Sequence, residues 1–84
     1  MVAVGAKKGK NPERKVLVTI RSPGVKKPSI FETDRYWEIV SELTWRKAER
    51  LDAYDAAKWC DRTAKPGDRK ELKPDITLEV KEDG

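Results

Sequence analysis

The chain has 84 residues; 40% are Asp, Glu, Lys or Arg, 37% are hydrophobic, and the net charge is +4 at pH 7. One small domain fits that length, with only about 60% of the unfolded surface buried on folding, which excludes a two-domain enzyme, a doubly wound cofactor fold and a substrate barrel. No apolar run approaches the ~20 residues of a membrane span, Met1–Ala6 is too short for a signal-peptide core, and the single Cys60 excludes an internal disulfide and fits a reducing, cytoplasmic setting.

Residues 1–14 predict a flexible basic arm, because Gly5, Gly9 and Asn11-Pro12 among small and charged residues cannot bury enough surface to offset ordering. A strand is expected from Lys15: Val16, Val18 and Ile20 alternate with Leu17, Thr19 and Arg21, and apolar residues in both phases favour a central position. Ser22-Pro23-Gly24 ends it in a turn, and Lys27-Pro28 argues against an early return to regular structure.

Residues 29–43 carry two signals. Ser29-Ile30-Phe31-Glu32 fits a helix capping box, whereas Tyr36-Trp37-Glu38-Ile39-Val40 is aromatic and β-branched. Thr44 as an N-cap, with Leu43 stapled to Ala48, implies a fresh helix start, so 36–42 is taken as a strand. A helix is expected over 45–63, where alanines sit among Arg, Lys, Glu and Leu, and Pro66-Gly67 closes it. Residues 65–74 read as a charged loop. Ile76, Leu78 and Val80 then alternate with polar residues as a half-buried strand over 75–81.

The expected fold is α+β: one domain over 15–84, β-β-α-β, a mostly antiparallel three-stranded sheet with one helix on a face. The alternative has two strands with one long helix or two consecutive helices. Two faces of the 45–63 helix compete for the sheet, Trp45, Ala48, Leu51 and Trp59 against Ala53, Ala57, Cys60 and Ala64. A small domain needs its large apolar residues for burial, which favours the first as core.

No catalytic residue is assigned. Histidine is absent, so the usual general base and commonest metal ligand are missing, and no cofactor or metal is implied. The charge is instead uneven. Residues 1–30 hold eight basic side chains against Glu13 alone, a net +7, while 31–84 hold eleven basic and fourteen acidic, a net −3. Such a split points to a non-enzymatic protein that binds DNA or RNA through non-sequence-specific phosphate contacts. The candidates are Lys7, Lys8, Lys10, Arg14 and Lys15, extended by Lys26 and Lys27. The alternative is a protein-binding modulator or inhibitor, of the kind phage or mobile elements encode, using a helix face formed by Trp45, Asp52, Asp55 and Trp59. On a single helix Trp45 and Trp59 stand only about 40° apart, with the two carboxylates between them. There is no RNP aromatic pattern, KH loop or helix-turn-helix.

Overall fold

The computed structural model describes residues 15–83, so the predicted arm lies outside the described residues. Within them the chain forms β1 (Lys15–Ser22), β2 (Val25–Glu32), α1 (Tyr36–Trp45), α2 (Arg50–Arg62), β3 (Arg69–Leu72) and β4 (Ile76–Asp83). This is a small α+β domain with a four-stranded antiparallel sheet, in the order β2-β1-β4-β3, and two helices. β1 is central, as its two apolar phases require. Val18 pairs with Val80 and Ile20 with Leu78. These four side chains and Ile76 point to one face and are fully buried.

The helices cover that face. α1 contributes Ile39, Val40 and Leu43, and α2 contributes Ala53, Ala56, Ala57 and Cys60, all buried in one cluster with the strand residues. Strand alternation sends Leu17, Thr19 and Arg21 of β1, and Thr77, Glu79 and Lys81 of β4, to the other face.

Five expectations need correction. The stretch 36–42 is helical: Ile39, Val40 and Leu43 make a buried stripe at helical spacing, while Trp37, read as part of a strand phase, projects outward. The 45–63 helix is interrupted at 46–49, which yields two consecutive helices rather than one. Thr44 is not an N-cap, for its hydroxyl donates to the carbonyls of Val40 and Ser41 inside α1. Lys27-Pro28 does not prevent β2, because the strand lies at the sheet edge and its pairing with β1 shifts register between Ile20 and Ser22, where a proline is tolerated. The 65–74 loop contains β3, a short charged edge strand paired to β4.

The core choice also reverses in part: Ala48 is buried and Trp59 packs half-buried against the core, but the two other members of the favoured set face out. Leu51 is 74% exposed and Trp45 63% exposed, while Ala53, Ala57 and Cys60 are buried. Small side chains on α2 let it approach the core closely, and the larger aliphatics come from α1 and the central strands.

Candidate functional site

Arg46, the residue after α1, is the most constrained polar side chain described. Its side chain has no exposure, and its guanidinium is shared among four partners. Nε donates to Glu42 Oε2 at 2.6 Å, Nη1 to Ser22 Oγ at 2.7 Å, and Nη2 to Ser29 Oγ at 3.0 Å and to the Lys27 carbonyl at 3.2 Å. The Ser29 hydroxyl donates in turn to Glu42 Oε2 at 2.8 Å. A buried charge is tolerated when it is paired and hydrogen-bonded in this way. The cluster ties the irregular start of β2 to the end of α1.

That tie shapes a groove between β2 and α1. Val25, Pro28 and Phe31 line one side and Trp37, Ser41 and Trp45 the other, with Arg46 and Glu42 at its base. Its lining is mostly apolar, yet Trp37 is 69% exposed and Trp45 63% exposed. Tyr36 packs edge-on to Trp37 and stacks with Tyr54 at 6.4 Å, so the aromatic end of the groove is braced against α2. Exposed tryptophans beside a hydrophobic groove are a pattern of interaction surfaces.

The members of the Trp45–Asp52–Asp55–Trp59 face do not share one helix. Trp45 ends α1 and borders the groove, whereas Trp59 is on α2, half-buried, with the Lys70 ammonium 5.4 Å from its ring centre. Asp52 and Asp55 do share a cleft, with Lys47, Lys70 and Lys73. The 40° relation assumed an unbroken helix, and the break at 46–49 removes it. Of the basic candidates, Lys7, Lys8, Lys10 and Arg14 lie outside the described residues. Lys15, Lys26 and Lys27 are exposed, but Lys15 starts β1 and the other two follow the turn at its far end, about 20–25 Å away along the strand. Sequence reasoning missed Trp37 as a groove residue because its segment reads as a strand, and Phe31 because Ser29–Glu32 reads as a helix cap rather than as part of β2.

Cys60 is buried in the core, and burial pushes its thiol up to about 12, opposed by a smaller lowering from Lys70 and reinforced by a smaller raising from Asp61. A thiol so protonated is a packing group rather than a nucleophile. Among the described residues no helix is long and apolar enough to cross a membrane. Comparison with protein-family models, curated proteins and solved structures finds no match to this chain.

Proposed function

We propose that the protein is a small non-enzymatic binding module that meets nucleic acid through its basic N-terminal third. The observation that carries this reading is the charge split, +7 over residues 1–30 against −3 over the rest. Lys15, Arg21, Lys26 and Lys27 are exposed along the β1–β2 hairpin of the single chain, Lys15 beside Glu32 at 3.5 Å. Lys7, Lys8, Lys10 and Arg14 add charge ahead of β1. Contacts of this kind neutralise phosphates, carry little sequence information and weaken with salt.

The test is fluorescence anisotropy with labelled single-stranded and duplex oligonucleotides, comparing the full chain with a variant lacking residues 1–13. Binding of the full chain that weakens at least tenfold from 50 to 200 mM salt, and at least tenfold on truncation, is expected. Undiminished affinity in the truncated protein, or no binding by the full chain at low salt, would sink the reading. A second reading, a protein partner, is favoured by the exposed Trp37 and Trp45 beside the groove. Salt-insensitive binding lost on Trp37→Ala would support it instead.

A further inference from the structure

β2 is an edge strand, and its hydrogen-bonding pattern shows which groups it leaves open. The Thr33 N–H donates to the Val16 carbonyl at 3.1 Å, and these two residues stand opposite each other in register. In an antiparallel ladder the bonded pairs recur every second residue, so Phe31 and Ser29 also point their backbone groups at β1. Ile30 and Glu32 therefore turn theirs outward, away from the sheet. The Glu32 carbonyl is already occupied, accepting from the Arg35 N–H at 3.1 Å. Pro28, the next outward position, has no N–H to offer.

We infer that this edge is the interface of a homodimer, in which β2 of one copy pairs antiparallel with β2 of a second about a two-fold axis through Ile30. The two Ile30 residues then exchange both their N–H and C=O groups. Each Glu32 N–H meets the Pro28 carbonyl of the other copy. The donor that Pro28 lacks falls opposite the Glu32 carbonyl, which needs none. Moving the axis off Ile30 sets Pro28 opposite the open carbonyl of Ile30, or pairs the Ile30 N–H with the occupied carbonyl of Glu32, so the proline selects this register.

Charge and apolar surface agree with the same pairing. Antiparallel alignment centred on Ile30 places the end of β2 that carries Lys26 and Lys27 near Asp34 of the other copy, while Glu32 is already paired with Lys15 and Arg35 of its own chain. On the open face the two Ile30 side chains, each 58% exposed, become neighbours across the axis. On the helix face the groove between α1 and this edge strand, lined by Phe31, Trp37 and Trp45, borders the contact. Three of the four large exposed hydrophobic residues, Ile30, Trp37 and Trp45 but not Leu51, lie at or beside one closed, self-complementary contact.

Sedimentation equilibrium on the full chain, freed of nucleic acid, tests this. The expected mass is twice the chain's 9.6 kDa. Ile30→Pro removes a donor that β1 does not use, so it should weaken association at least tenfold while leaving the circular dichroism spectrum nearly unchanged. Two charge variants keep the test independent of that substitution. Lys26→Glu with Lys27→Glu, and separately Asp34→Lys, should each self-associate less tightly alone than the native protein and form a heterodimer when mixed. A chain that stays monomeric at every concentration overturns the proposal. So does a dimer in which each charge variant self-associates as tightly as the native protein.

Discussion

Arg46 joins three parts of the chain that are distant in sequence: Ser22 at the end of β1, Lys27 and Ser29 in β2, and Glu42 one turn back in α1. Replacing it by Met leaves the Glu42 carboxylate and the Lys27 carbonyl short of partners. Breaking a buried ion pair from one side costs about 3–5 kcal/mol, so urea denaturation of Arg46→Met should show a loss of that size. Arg46→Lys should recover little of it, since one ammonium cannot reproduce a planar fork directed at four acceptors. None of this was legible in sequence. Arg46 is one of 19 Lys and Arg residues, and its partners lie up to 24 positions away. Cys60 offers a second test at this scale. Its folded value of about 12 lies above the ordinary 9.0, so the native state keeps a proton that the unfolded state gives up. The resulting stability is fully present below pH 9 and declines between about pH 9 and 12. Alkaline denaturation of Cys60→Ala should lack that part of the decline, and native Cys60 should resist a thiol reagent at pH 8 until the protein unfolds.

The boundary between α1 and α2 shows how a correct pairing can be given the wrong role. Leu43 and Ala48 were linked as a helix-start staple, and both are buried. The Ala48 N–H donates to the Leu43 carbonyl, and the Lys47 N–H to the Thr44 carbonyl. That pattern is a Schellman ending of the preceding helix, with a hydrophobic contact between the same two positions. It requires a left-handed residue, and Lys47 supplies it at φ 83° although it is not glycine. The missing glycine is why the end was invisible. Lys47→Gly relieves the steric cost of that conformation and should raise stability by up to about 1 kcal/mol, read as a higher urea midpoint with an unchanged m-value. β1 and β4 were legible because alternating β-branched and aliphatic residues fill a half-buried or central strand. β2 and β3 were not, since edge strands tolerate the lysines, the proline and the charged Arg69–Leu72 run that elsewhere signal loops.

For the whole molecule, the charge split was plain in sequence, but the distribution of aromatic surface was not. Trp45 and Trp59 separate once the helix divides, and Trp37 enters the surface once its segment becomes helical. Under the nucleic-acid reading, deletion of residues 1–13 removes Lys7, Lys8 and Lys10. The slope of log affinity against log salt should then shrink by about 2 for single strands, at roughly 0.7 per phosphate contact. The buried cluster runs from Val18 to Val80, so the truncated protein should keep a thermal midpoint close to that of the full chain.

The pairing of Lys15 with Asp83 and Val18 with Val80 has a consequence for how the chain acquires its shape during synthesis. The β1–β2 hairpin closes across two turn residues and the β3–β4 hairpin across three, so each needs only local chain. The middle of the sheet, however, joins segments some sixty positions apart, so it cannot close until β4 has left the ribosome. Until then β1 has one unmated side, and Val18 and Ile20 lack their cross-strand neighbours Val80 and Leu78. Chain elongation at about 5–20 residues per second therefore leaves that strand edge unpaired for seconds, the interval in which chaperone capture or misassociation would act.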